Sequence, residues 1–152
     1  MGWKQSKTPY KLNNPEKYIG DPDKLMYKSS WEQSAFFMCD NNPNIVRWAY
    51  EFIPIKYAKP VGAGFKITTY FPDLYLEYFD RDQNFIKEVL EVKPKNQTQP
   101  SKKKKTETRL YENYVYLVNK AKWEAAKAWC TPRGIKFTVI TENGLYRTKR
   151  NK

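Results

Sequence analysis

An α/β domain with one mixed central β-sheet flanked by helices is the architecture this chain predicts, and three observations predict it. Its 152 residues suit a single domain. A 40 % hydrophobic fraction with 16 % aromatic residues is enough to bury a core, which excludes wholesale disorder. Finally, a helical pattern, a set of alternating strands, a second helical pattern and a last alternating strand follow one another along the chain, with no internal repeat.

Residues 1–28 carry Pro9, Pro15, Gly20 and Pro22 among Lys and Asn, a composition of an extended N-terminal arm with turns. The domain proper occupies 29–146. Ser29, three residues before Glu32, has capping-box spacing and opens a helix from Ser30 to Asn41, closed by Asn42-Pro43. Ile45 to Ile55 reads as a strand with Pro54 near its end, and the Pro60 to Gly64 stretch as a turn. Phe65, Ile67 and Thr69 alternate with Lys66 and Thr68. The runs Asp73 to Phe79 and Phe85 to Lys93 then flank the turn Asp80 to Asn84 as a β-hairpin. Pro94 to Thr106 is polar and lysine-dense, an exposed basic loop. Leu110, Tyr114, Leu117, Val118, Ala121, Ala125 and Ala128 recur at steps of three and four, marking one or two helices that Pro132 and Gly134 end. Ile135, Phe137 and Val139 form a final strand, and 147–152 is a basic tail.

Charge and missing residue types narrow the chemistry. Lys plus Arg number 28 against 16 Asp plus Glu, a formal net charge of +12 that seeks polyanions. With no histidine, Ser-His-Asp, Cys-His and zinc-His sites are excluded. Cys39 and Cys130 are too few for a cysteine-only zinc cage and read as reduced and buried, which suits a cytosolic protein. The start of the chain lacks an apolar signal core, and no stretch approaches the roughly 18 apolar residues of a membrane span, so the reading is of no export and no membrane.

The hairpin carries the candidate chemistry. Side chains alternate along a strand, so Glu91 and Lys93 share a face while Leu90 and Val92 point the other way. A symmetric turn centred on Asp82 sets Asp73 opposite Glu91, with Cβ atoms roughly 4.5–5.5 Å apart, on a polar face formed by the odd positions. Leu74, Leu76, Ile86, Leu90 and Val92 supply the apolar face. Two facing carboxylates repel unless a cation lies between them, and oxygen ligands favour Mg²⁺ or Mn²⁺. A cation held by Asp73 and Glu91, with Lys93 close by, has the parts for phosphodiester hydrolysis. Glu32 is available as a third carboxylate, its rival role being the helix cap.

These residues resemble the PD-(D/E)xK nuclease superfamily: Glu32 on an early helix, Pro72-Asp73 at one strand, Glu91-Val92-Lys93 at the next. Within it, Tyr27 to Glu32, Tyr70 to Asp73, Glu91 to Lys95 with Gln97-Thr98, Asn119 to Ala126 and Phe137 to Glu142 are similar to head-completion nucleases of tailed myophages, relatives of the TnsA-type transposon endonucleases. The resemblance implies a restriction-endonuclease-like core and a catalytic set of Glu32, Asp73, Glu91 and Lys93. It also implies a phage protein that processes or secures the end of packaged DNA, in the host cytoplasm during assembly or in the virion. Its partners are then DNA and the portal or neck proteins, and it works as a monomer or small homo-oligomer.

Lys95, Lys102, Lys103, Lys104, Lys105, Lys122 and Arg133 are candidates for tracking DNA phosphates, against the plainer reading of solvated lysines. Trp123 on the amphipathic helix is read as core, and Tyr111, Tyr114 and Tyr116 as half-buried packing residues. Two other functions stand beside the nuclease: a non-catalytic DNA-binding head-neck protein that keeps the fold, and an RNA-binding basic protein, which the carboxylates do not explain.

Overall fold

The computed structural model describes residues 6–141. The tail at 147–152 and Glu142 lie outside the described residues. The arm pairs with itself: Thr8–Pro9 (β1) lies antiparallel to Met26–Tyr27 (β2), with short 3-10 turns at Pro15–Lys17 and Pro22–Lys24 between them. It is moored to the first helix, Ser30–Asn41 (α1), through Asp40, which is fully buried. That carboxylate accepts the Tyr10 hydroxyl at 2.9 Å and the backbone N–H groups of Asn13 at 2.7 Å and Asn14 at 2.9 Å. A buried charge is tolerable only with such partners. Leu25 of the arm is buried in the core under α1.

Ser29 caps α1, its Oγ accepting the Glu32 N–H at 3.2 Å. The strand expected from Ile45 to Ile55 is two strands: Ile45–Tyr50 (β3) ends where Glu51 adopts φ 47°, and a new strand starts beyond Pro54 at Ile55–Val61 (β4). A non-glycine residue in the left-handed region breaks strand continuity, and proline cannot donate to a ladder. The expected Pro60–Gly64 turn is tighter than its composition suggests. Pro60 stays in β4 opposite Phe65, and Gly62, with φ 51°, turns the chain into Gly64–Tyr70 (β5).

Leu74–Phe79 (β6) and Phe85–Val92 (β7) form the expected hairpin, with pairs running from Leu74 opposite Leu90 to Phe79 opposite Phe85. Its loop is pinned by Asp80, whose carboxylate accepts the N–H groups of Asp82 and Asn84, each at 2.9 Å. After a 3-10 turn at Lys95–Gln97 comes one unbroken helix, Thr106–Cys130 (α2), and then the strand Lys136–Ile140 (β8). The main sheet has the order β3-β6-β7-β8, antiparallel except for the parallel β7–β8 pair, while β4–β5 and β1–β2 are separate two-stranded ribbons. The result is a mixed α/β fold with a central sheet.

The odd face of the hairpin is not the polar surface its sequence suggests. Tyr75 and Val89 are buried with Val118, Ala126 and Cys130 of α2 and with Ile55, Tyr57 and Tyr70 of the ribbon. Leu74, Leu76 and Leu90 on the even face pack with Ala35, Phe36 and Cys39 of α1 and with Trp48. Helices on both faces make β7 buried from Glu88 through Val92, as a strand beside a parallel neighbour must be. Both cysteines are free and buried. Among the described residues no helix is long and apolar enough to cross a membrane.

Candidate active site

Extending the β6–β7 register one step beyond Leu74 and Leu90 sets Asp73 against Glu91, at the end of the sheet where β6 begins and β7 ends. Asp73 is held from two sides. Its Oδ2 accepts the Val92 N–H at 2.7 Å, and its carbonyl accepts the N–H of the left-handed Glu51 at 3.0 Å. Glu91 is 3 % exposed. Burial, then the neighbouring Asp73 charge and the hydrogen bond to it, push the Glu91 carboxyl up to about 9, while Lys93 and Lys122 act in the opposite direction. Two carboxylates share one site, and without a cation one of them keeps a proton.

Lys93 follows on the same side of the strand, half-buried, with its N–H donating to the Ile140 carbonyl at 3.0 Å. Lys122 comes from α2. Its Nζ sits over two aromatic rings, 5.8 Å from the centroid of Tyr57 and 5.6 Å from that of Tyr70. Its charge is felt by Glu91, and it feels Lys93, Lys59 and Asp73 in turn. Desolvation and then Lys93 hold the Lys122 ammonium below the ordinary lysine value. Lys93 and Lys122 thus act on the acidic pair, with Lys59 near Lys122, a positively charged setting suited to an anionic substrate.

Glu32 is buried near the end of β3. Its Oε1 accepts the Lys28 N–H at 2.7 Å and its Oε2 the Tyr50 hydroxyl. The reciprocal capping-box bond is therefore shifted by one residue, to Lys28 in place of Ser29. Tyr50 lies opposite Leu74, the residue after Asp73, so Glu32 is tied into the same end of the sheet but on the α1 side. Among the described residues no group of three or more carboxylates or thiols is placed to hold a metal ion. The expected grouping of Glu32 with Asp73 and Glu91 is not assembled among the described residues, and the Glu32 oxygens accept instead from Lys28 and Tyr50.

The remaining candidates scatter. Lys95 is exposed two residues beyond Lys93, in the 3-10 turn. Lys102, Lys103, Lys104 and Lys105 are exposed before α2, with Lys103 paired to Glu112 at 2.9 Å. Arg133 is not brought to the carboxylates. Its guanidinium stacks over Trp129 at 4.1 Å and donates to the Trp129 carbonyl, and the chain then enters β8 at the level of Glu88. Tyr70 and Asn119 entered the sequence reading only as ends of matching stretches and Lys59 not at all, so none of the three was read as a site residue. Asn119 and Lys122 interrupt the inward stripe of α2 that includes Val118 and Ala126, and polar residues at such positions were the available signal.

A restriction-endonuclease-like α/β domain with an acidic pair and lysines at the sheet end defines a class of phosphodiester-cleaving enzymes. The sequence profile described as TnsA-like endonuclease N terminal matches residues 42–142, and the chain belongs to this family. Over 138 residues it is 38 % identical to the Head completion nuclease of Enterobacteria phage T4, covering 87 % of this chain and 88 % of that protein. No solved structure matches the chain.

Proposed function

We propose that this protein is a divalent-metal-dependent DNA endonuclease of phage head completion that processes or secures the end of packaged DNA. The observation that carries the reading is the Asp73–Glu91 pair, in which a buried Glu91 shares a proton with a half-buried Asp73, with Lys93 and Lys122 acting on it. The donor set fits a hard cation: two facing carboxylates, with Asp73 Oδ2 held by Val92 and a proton between the pair that a cation would replace. Asp73 and Glu91 are the residues that would hold Mg²⁺ or Mn²⁺. When bound, such an ion supplies Lewis-acid polarisation and offsets developing phosphate charge. Lys93, beside Glu91, orients the attacking water or neutralises charge on the phosphate, and Glu32 supports the start of the site through Tyr50. The exposed lysines Lys95 and Lys102 to Lys105 hold flanking DNA by charge alone. The portal and neck proteins are the partners this role implies, and the infected cell or the virion its location.

The test is made with variants that keep the local bonds. Asp73→Asn retains an acceptor for the Val92 N–H, and Lys93→Met retains the stem. Both are expected to melt like the parent and to lose Mg²⁺- or Mn²⁺-dependent DNA cleavage by roughly 100-fold or more. Parental activity in both variants would end the assignment.

One observation favours a second reading, a non-catalytic protein that grips the DNA terminus: Glu32 spends both oxygens on Lys28 and Tyr50 and leaves only two carboxylates at the site. Salt-sensitive DNA binding with no products under either metal would favour it.

A further inference from the structure

Four buried polar side-chain atoms have no hydrogen-bond partner among the described residues: Trp48 Nε1, Tyr70 Oη, Asn119 Nδ2 and Trp123 Nε1. A buried donor without an acceptor is destabilising, so each calls for a reason. Trp48 is remote from the others, in the core under α1. The other three belong to the opposite side of the sheet, where α2 covers the ribbon. Asn119 and Trp123 stand one helical turn apart with Lys122 between them, and the Lys122 ammonium rests over the ring of Tyr70.

Tyr70 is 7 % exposed and Asn119 4 % exposed. The Tyr70 hydroxyl lies within the electrostatic reach of both Glu91 and Asp73. It ends β5 three residues before Asp73, so the strand end that delivers the carboxylate also delivers the hydroxyl. Lys122 and Asn119 are three apart on α2, and side chains at that spacing share a face.

We propose that Tyr70, Lys122 and Asn119 form a substrate-positioning arm: the hydroxyl, the ammonium and the amide donate to oxygens of the phosphodiester that lies at the Asp73–Glu91 pair. This deepens the nuclease reading and rests on it. The ligand class follows from the chemistry. All three groups can donate and one is cationic, a combination that matches the oxygens of a phosphate. The setting already carries more ammonium than carboxylate groups, so an anion is the complement it lacks. Two of the arm's three groups, Tyr70 Oη and Asn119 Nδ2, are buried without a partner among the described residues, and that stability cost is the signature of a site shaped for something else.

That cost supplies the experiment, because it separates a functional donor from a packing flaw. Tyr70→Phe removes only the hydroxyl. The expected result is a melting temperature equal to or above that of the parent, with single-turnover cleavage of linear duplex DNA in Mn²⁺ reduced by roughly tenfold or more at saturating protein. Lys122→Gln is expected to weaken DNA affinity as well, with partial rescue by Lys122→Arg. A Tyr70→Phe protein that is as stable as the parent and cleaves at the parental rate overturns the proposal, as does one that loses stability and activity together. Asn119→Leu adds a second readout of the same kind, and if it fails to fold, Tyr70→Phe decides. If the parent cleaves nothing with either metal, the nuclease reading falls first. The arm is then judged by fluorescence anisotropy with labelled duplex DNA in Ca²⁺: unchanged affinity in Tyr70→Phe and Lys122→Gln overturns it, and a loss of about tenfold in either supports it as a phosphate grip.

Discussion

Glu91 places a proton where a cation would otherwise sit, and this has a sign that can be measured. Its carboxyl is raised from 4.5 to about 9, by burial first and by Asp73 second. Between those two values the folded protein keeps the proton that the unfolded chain releases. Stability from this group is therefore full below about pH 4.5 and is lost as pH rises through about 9. Metal-free melting temperature is expected to fall from about pH 5 to about pH 9, and Mn²⁺ is expected to raise it more at the alkaline end, where less proton has to be displaced. Glu91→Gln should flatten both responses. A pH-independent melting curve for the parent, or a Mn²⁺ shift that survives in the variant, would count against the shared site. The facing of Asp73 and Glu91 could be read from the turn around Asp82, because strand alternation and a symmetric loop leave one register. Glu91's proton could not, since it depends on how deeply the pair is buried.

At the scale of elements, α1 and the arm depend on one another through Asp40. Among the described residues its carboxylate is what accepts the Tyr10 hydroxyl and the Asn13 and Asn14 N–H groups. Asp40→Ala leaves these donors to find water or stay unpaired, and a loss of roughly 3 kcal/mol or more is expected, read as a lower denaturation midpoint. Limited proteolysis should then cut near Asn13 to Lys17 before the rest of the chain. An unchanged midpoint would show that the arm is held by Leu25 and its apolar neighbours alone. Nothing in the sequence singled out Asp40, which looks like an ordinary acid near a helix end. The helix it sits on was legible, because Ser29, Glu32 and Asn42-Pro43 are local signals. The break in the strand at Glu51 was not, since its left-handed backbone answers to the bond its N–H makes with Asp73 across the sheet.

For the whole molecule, the surplus of positive charge governs how DNA is met before any chemistry begins. Lys102, Lys104 and Lys105 are exposed on the loop before α2, and Lys103 is already paired with Glu112. Replacing all four lysines by serine is expected to weaken DNA binding evenly across sequences. The slope of log affinity against log salt should become shallower by roughly 2–3. An unchanged slope would make the run a solvated loop and nothing more. Such a measurement leaves the Asp73–Glu91 pair untouched, so cleavage at saturating protein should persist in the variant.

Local physics reaches the amphipathic helices, the β6–β7 hairpin and the positions of Asp73, Glu91 and Lys93, because capping, turn symmetry and strand alternation act over a few neighbouring residues. Packing over long sequence distances decides the rest. It covers both faces of the hairpin, commits Glu32 to Lys28 and Tyr50, sends Arg133 to Trp129, and lays Lys122 across Tyr70. Those outcomes depend on which buried polar groups find partners once α1 and α2 close on the sheet, and no stretch of chain contains that information by itself.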